Sequence, residues 1–121
     1  MLWCMSSLPS PLPEPLVELI AQRFRLLGEP TRIKLLDALR AGPATVTELQ
    51  AASDASQQNV SKHLGMLVDA GLVRRVKDGN RAYFSIADES LFDLCEQVCG
   101  ALQRQIAELD QLFDTEGEAA R

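Results

Sequence analysis

The chain has 121 residues and a formal net charge of −5 at pH 7, with 17 acidic and 12 basic side chains. This length favours a single domain with a modest core. The sequence contains no apolar run long enough to cross a bilayer, and its start, MLWCMSSLPSPLPEP, lacks the cationic flank and long apolar segment of a secretory signal. From these observations we expect a cytoplasmic protein that neither spans a membrane nor is exported.

Residues 1–12 are rich in proline and predict a flexible N-terminal arm. Met5 is a second candidate start, from which Cys4 would be missing. The three cysteines are an odd number that fits no disulfide framework, so we expect reduced thiols.

Prolines and glycines predict three helices before residue 56. The first runs from Pro13 to Leu27 and has an apolar side formed by Leu16, Leu19, Ile20, Phe24 and Leu27. The second begins at Pro30 and ends before Gly42-Pro43. The third is short and is capped by Thr45 or Thr47.

The stretch SQQNVSKHLGMLVDAGLV, residues 56–73, predicts a helix with two different sides. Ser56 is a good N-cap, Gly71 a natural C-terminal stop, and apolar residues recur at helical spacing in Val60, Leu64, Leu67 and Val68. Amides, a hydroxyl and cations lie on the other side, and such groups recognise base edges and phosphates. Together with the preceding helix, this pattern predicts a helix-turn-helix. The predicted DNA contacts on this helix are Ser56, Gln57, Gln58, Asn59, Ser61, Lys62 and His63, with plain helix surface as the alternative for His63 and a solvated face for the others.

The period then changes to that of two short strands around Asp78-Gly79, which predicts a β-hairpin. Its cations Arg75, Lys77 and Arg81 suit a wing that touches backbone phosphates. The alternative is that Arg75 and Arg81 pair with Asp78 or with acids of the C-terminal tail.

Charge is distributed unevenly along the chain. Residues 1–55 carry −1, residues 56–86 carry +3 and residues 87–121 carry −7. A DNA-binding surface therefore fits only the central third, and the acidic C-terminal end must point away from DNA.

The last predicted helix runs from about Asp88 to Phe113 and has a near-heptad apolar stripe, consisting of Leu91, Cys95, Val98, Leu102, Leu109 and Leu112. A stripe of this length predicts pairing with a second copy, through the first and last helices, so that two half-sites lie about 34 Å apart on DNA. Residues 114–121 predict a disordered acidic tail. The fold class expected is a mainly α winged helix-turn-helix in residues 13–113, in the order α-α-α-α-β-β-α, as a homodimer.

The segments LGEPTRIKLLDAL, TVTELQ, SQQNVSKHLGMLVDAGLV and VRRVKDGNRAYFSI resemble the ArsR/SmtB family of winged-helix repressors in order and spacing. The resemblance covers roughly Leu19 to Leu112. It implies a homodimer that occupies double-stranded operator DNA and leaves it when an inducer binds, usually a thiophilic metal or metalloid. In some members a cysteine pair senses oxidants or reactive sulfur instead.

Two inducer sites of that family are incomplete in this chain. The thiols of the C-V-C-D-L pattern are replaced by Thr45 and Thr47 in Thr45-Val46-Thr47-Glu48-Leu49. Of the acid and histidine ligands along the last helix, Asp88 is present, whereas Ser90, Ala101 and Arg104 replace the others. The resemblance therefore does not imply a zinc, nickel or cobalt site of the latter kind.

Cys95 and Cys99 remain, and their i, i+4 spacing puts both sulfurs on one side of a helix. They suit a soft ion such as arsenite, with Cys4 as a third ligand, and no obligatory cofactor is expected. Two alternatives stay open: the same cysteines sense oxidants or reactive sulfur, or they are packing residues.

Two other classes of protein are alternatives to a repressor. A thiol enzyme is disfavoured because the chain has no C-x-x-C motif and a single histidine. A winged helix that binds only protein would fail to bind any DNA at low salt.

Overall fold

The structure, a computed structural model, describes the backbone of residues 8–120 and the side chains of residues 8–113. It contains, in chain order, α1 (Glu14–Leu27), α2 (Pro30–Leu39), α3 (Val46–Ser53), α4 (Gln57–Asp69), β1 (Val73–Asp78), β2 (Arg81–Ile86) and α5 (Ser90–Ala120). This order confirms the predicted α-α-α-α-β-β-α fold class. Residues 8–13 carry no helix or strand, and the rest of the predicted N-terminal arm, with Cys4 and Met5, lies outside the described residues.

The chain divides into two compact units, residues 1–87 and 88–121. The first contains α1–α4 and the hairpin around an aliphatic core, in which α2, α3 and α4 contact one another and the hairpin contacts all three. Its most deeply buried side chains are Leu35, Leu49, Val60, Leu64, Leu67, Leu72 and Val73.

Local chemistry fixes where α1 and α2 begin. Pro13 occupies the N-cap of α1, and Gly28 ends that helix. Glu29 caps α2 by accepting a hydrogen bond from the backbone N–H of Arg32 at 3.0 Å, and Pro30 follows at the first helical position, where its missing N–H costs nothing.

The turn between α3 and α4 consists of residues 54–56. Asp54 ends α3 in the left-handed conformation, with φ of 57°, and its N–H donates to the Gln50 carbonyl. Ser56 then caps α4 by accepting from the Asn59 N–H at 3.1 Å. These two caps place the helices in the helix-turn-helix arrangement.

The hairpin pairs β1 with β2 antiparallel, from Val73 opposite Ile86 to Asp78 opposite Arg81. The two turn residues are therefore Gly79 and Asn80, and Asp78 belongs to the strand, so the predicted Asp78-Gly79 turn is displaced by one residue. Gly79 has φ of 65°, which places glycine first in the turn, as in type II′ hairpins. Ala44 extends the sheet by exchanging two backbone hydrogen bonds with Phe84, at 2.8 and 3.0 Å.

The second unit is dominated by α5, which has 31 residues and a length of about 46 Å at the usual rise per residue. It begins at Ser90 and not at the predicted Asp88, because the Asp88 carboxylate accepts from the Ser90 N–H at 3.0 Å in the manner of a cap. It ends at Ala120 and not at Phe113. The side chains of residues 114–121 are outside the described part, and the disordered acidic tail stays a prediction.

Within the described residues, we find no helix that combines the length and the apolarity needed to cross a membrane.

Candidate nucleic-acid interface

The two sides of α4 differ as predicted. Val60, Leu64 and Leu67 are fully buried and join the core of the first unit. The predicted DNA contacts on the other side are all exposed, namely Ser56, Gln57, Gln58, Asn59, Ser61 and Lys62. We call the last five of these residues the reading face.

The reading face presents two classes of group to a ligand. Its amides offer both donors and acceptors, which matches the edge of an adenine, and its hydroxyl and cation suit phosphate or guanine. The face lies at the N-terminal end of α4, where the helix dipole also favours negative charge. This arrangement can hold one edge of a nucleic-acid groove.

His63 is less exposed than the residues of the reading face, and its role as a DNA contact stays a prediction. Its side chain is only 12% exposed, and Nδ1 accepts a hydrogen bond from Arg32 Nε at 3.0 Å. Its Nε2 lies 3.8 Å from a Glu29 carboxylate oxygen. Glu29 is far from His63 in the chain, so no local sequence pattern indicates this contact.

The wing cations do not form one patch. Arg75, Lys77 and Arg81 are all exposed, but side chains alternate along a strand, so Arg75 and Lys77 share one face of the hairpin and Arg81 lies on the other. Arg81 borders a depression at the start of α3, together with Thr45 and Glu48. Its prediction as a phosphate contact therefore competes with a role beside an acid.

Glu48 is the acid in question. Thr45 lowers the pKa of its carboxyl through hydrogen bonds from the backbone N–H and the hydroxyl, and the positive charge of Arg81 adds to this effect. Arg81 thus acts on Glu48 within the same unit. The alternative partner foreseen from the sequence was Asp78 or the tail, and Glu48 was missed.

Cys95 and Cys99 are free and exposed on α5. Whether they bind an inducer, sense oxidants or reactive sulfur, or pack in a pairing of two chains stays a prediction. The residues with described positions contain no group of three or more His, Cys, Asp or Glu arranged to hold a metal ion. Cys4, the predicted third ligand, lies outside that part of the structure.

Comparisons with known proteins agree with this geometry. A helix-turn-helix domain family model matches residues 27–76. The chain is 40% identical over 74 residues to a probable mercury resistance operon repressor of Streptomyces lividans, a match covering 61% of this chain and 59% of that protein. It is 33% identical over 96 residues to an uncharacterized HTH-type transcriptional regulator of Mycobacterium tuberculosis, covering 78% of this chain and 84% of the relative.

A solved structure adds the fold family. The homodimeric winged helix-turn-helix DNA-binding domain of a possible ArsR-family regulator from Mycobacterium bovis matches with a TM-score of 0.68 and 26% identity, over 78% of this chain and 87% of that one. The exposed reading face, the wing and these relatives lead to one assignment. The chain belongs to the ArsR/SmtB family of winged helix-turn-helix transcriptional regulators, which are DNA-binding proteins and not enzymes.

Proposed function

We propose that this protein is a homodimeric repressor that places the reading face of α4 in the major groove of its operator and leaves DNA when a thiophilic inducer binds. The observation that carries the proposal is the exposure of every polar side chain of that face over a fully buried leucine side. Arg75 and Lys77 on the wing supply phosphate contacts, which position the helix without reading sequence.

Pairing of two chains is supported by the apolar residues that each unit leaves uncovered. Leu19 and Phe24 on α1 are 61% and 56% exposed, and none of the side chains of α1 is buried. On α5 the exposed apolar residues are Val98, Leu102, Ile106, Leu109, Leu112 and Phe113. The M. bovis relative is homodimeric, and a second copy of this chain is the partner that would cover both sets.

The DNA-binding part is tested by fluorescence anisotropy with duplexes from the promoter region of its own gene and with random duplexes. Gln58→Ala should reduce the preference for the promoter duplex, because an amide to adenine pair contributes base discrimination. Lys77→Ala should weaken binding to both duplexes alike and reduce the salt slope by about one.

The reverse pattern, with Lys77→Ala changing the base preference and Gln58→Ala leaving it intact, would overturn the assignment of the two surfaces. If the parent protein binds no duplex at low salt, the chain is a protein-binding winged helix instead.

The inducer is proposed to bind at Cys95 and Cys99. Both thiols are exposed one helical turn apart, and soft thiolate ligands select soft metals over zinc-like ones. The Streptomyces relative is named as a mercury resistance repressor, so Hg(II) joins arsenite as a candidate. A third ligand, where the ion requires one, would come from Cys4 or from the partner chain.

Titration of the promoter complex with Hg(II), arsenite, antimonite, hydrogen peroxide and an organic persulfide distinguishes the ion-binding proposal from the redox alternative. The parent should release DNA, and the Cys95→Ser, Cys99→Ser double variant should not. Release by the oxidants alone would favour thiol oxidation. A double variant that responds like the parent to every compound would show that the two cysteines are not the sensor.

A further inference from the structure

The guanidinium of Arg32 connects three helices of the first unit. Arg32 lies in the first turn of α2 and is half-buried. It donates to the Leu26 carbonyl near the end of α1 at 2.9 Å, and to His63 and Met66 on α4 at 3.0 and 3.4 Å. One side chain therefore ties α1 and α2 to α4.

The contacts of His63 have defined directions. A guanidinium has donors only, so the Nδ1 that receives Arg32 Nε–H acts as the acceptor. Nε2 lies on the side of the Glu29 carboxylate, 3.8 Å from one of its oxygens. Glu29 is itself held by the Arg32 backbone N–H, so the three side chains form one cluster.

The cluster contacts α4 beside the buried side of that helix. Val60, Leu64 and Leu67 define the buried side, whereas His63 and Met66, three residues apart, lie between that side and solvent. The hydrophobic effect is non-directional, so it fixes the rotation of a helix less strictly than a hydrogen bond does. A hydrogen bond with a planar guanidinium requires defined directions.

We propose that Arg32, His63 and Glu29 are positioning residues that set the rotation of α4 about its own axis, and with it the direction of the reading face. This inference rests on the proposed DNA-reading function. His63 follows Lys62 directly in the chain, so loss of the hydrogen bond would turn amides and cation together away from their base and phosphate partners. Specific binding would suffer more than non-specific binding, because a base contact needs a defined direction of the reading face, whereas a flexible cation reaches phosphate over a wider range of angles.

The test compares His63→Asn with His63→Leu in the full-length protein. The side-chain oxygen of asparagine lies near the place of Nδ1 and can accept from Arg32, whereas leucine fills the space with no acceptor. We expect His63→Leu to lower the ratio of promoter to random-duplex affinity by about tenfold, the scale of one charge-assisted hydrogen bond. His63→Asn should restore most of that ratio, and the thermal midpoints of both variants are measured to separate stability from reading.

A charge-matched pair on α2 provides the control. Arg32→Gln and Lys34→Gln each remove one positive charge from that helix, but Lys34 is exposed and outside the cluster. Only Arg32→Gln should lower the affinity ratio, and combining it with His63→Leu should add little, because the two changes break the same bond. If His63→Leu does not fold, Arg32→Gln and His63→Asn still test the proposal.

The proposal is overturned if the parent binds its promoter and His63→Leu keeps the parent's affinity ratio. It is also overturned if His63→Asn lowers that ratio as much as His63→Leu does, or if Lys34→Gln lowers it as much as Arg32→Gln does. A parent that binds no DNA would refute the proposed function, and this positioning role with it.

Discussion

Glu48 and Thr45 form reciprocal hydrogen bonds at the start of α3. Its backbone N–H donates to the Thr45 hydroxyl oxygen at 3.3 Å, and one carboxylate oxygen accepts from the Thr45 N–H and hydroxyl at 3.1 and 3.0 Å. This reciprocal capping box satisfies donors that would otherwise lack partners at the start of α3. The carboxylate form is therefore favoured in the folded chain.

Replacing Glu48 with glutamine should flatten the acid side of the stability profile. Because Thr45, and then Arg81, lower the pKa of Glu48 on folding, the carboxylate stabilises the fold at pH values above its ordinary pKa. That contribution is lost as the pH falls through the lower folded pKa. Urea midpoints measured from neutral pH downward should fall less steeply for Glu48→Gln than for the parent.

Thr45→Ala is the matched control for this effect. It removes the hydroxyl while leaving Glu48 in place, and it should lower stability by about 0.5–2 kcal/mol as well as reduce the acid dependence. An acid profile unchanged in both variants would mean that this capping box contributes nothing to the pH dependence of stability.

Single residues show where sequence reasoning reaches its limit. Thr45 or Thr47 was predicted as the cap of α3, and the structure selects Thr45, since Glu48 stands three residues after it as a capping box requires. The contact of His63 with Arg32 was not predicted. The position of His63, three residues after Val60, places it at the border of the buried side. Its partner Arg32 is 31 residues away, so no local sequence pattern indicates the contact.

Two glycines of the first unit have opposite structural meanings. Gly79 has φ of 65° in the hairpin turn, a conformation that other residues adopt with strain. Gly65 lies within α4 in helical conformation, and a Cβ added there meets no atom within 4 Å. A mid-helix glycine with free space around it is destabilising relative to alanine.

The same substitution should therefore have opposite effects at the two sites. Gly65→Ala should raise the free energy of unfolding by about 0.5–1 kcal/mol, since alanine restricts the unfolded chain and favours a helix. Gly79→Ala should lower it by about 1–2 kcal/mol through left-handed strain. Urea denaturation measures both.

Each variant controls for the other, because neither added methyl group meets a neighbouring atom. Destabilisation by Gly65→Ala would contradict the free space on the exposed side of α4. Stability unchanged by Gly79→Ala would contradict the turn geometry.

The helices and strands were easier to predict from the sequence than the connections between them. Proline and glycine marked the ends of α1 and α2 closely, because these residues act through local backbone geometry. The hairpin was predicted, but its turn was displaced by one residue because an Asp-Gly pair also fits the commoner type I′ geometry. The strand-like Ala44 was not predicted, since a single residue has no periodicity and its partner Phe84 is 40 positions further on.

At the scale of the whole molecule, the described part of α5 carries a row of exposed apolar residues. Val98, Leu102, Ile106 and Leu109 are each between 51% and 56% exposed, and their spacing of four, four and three residues keeps them on one side of the helix. Cys95 and Cys99 lie near the N-terminal end of the same side of the helix. Any pairing of two α5 helices through this side would bring the thiols next to the interface.

Leu102→Glu should convert the proposed dimer into monomers, because pairing would bury a carboxylate without a partner. Ala107→Glu adds the same charge to another side of α5 and should leave the dimer intact. Sedimentation velocity over a dilution series gives the mass of each variant. Equal masses for the two variants would refute pairing through the apolar side of α5.

The apolar stripe of α5 and the charge division between the two units were readable from the sequence, because both depend on composition and helical period alone. The arrangement of two chains was not, since it depends on packing between surfaces that lie far apart in sequence. The inducer site stays a prediction for the same reason, because both thiols lie on a single helix and further ligands would have to come from elsewhere.

The exposed stripe of α5 also has a consequence for dosage. If operator binding needs two chains, then below the dissociation constant of the pair the active species varies with the square of the total chain concentration. Dilution by cell growth would therefore relieve repression more than in proportion, even in the absence of any inducer. The chain concentration at which repression is lost would then depend on how strongly the apolar side of α5 pairs, and not on the reading face alone.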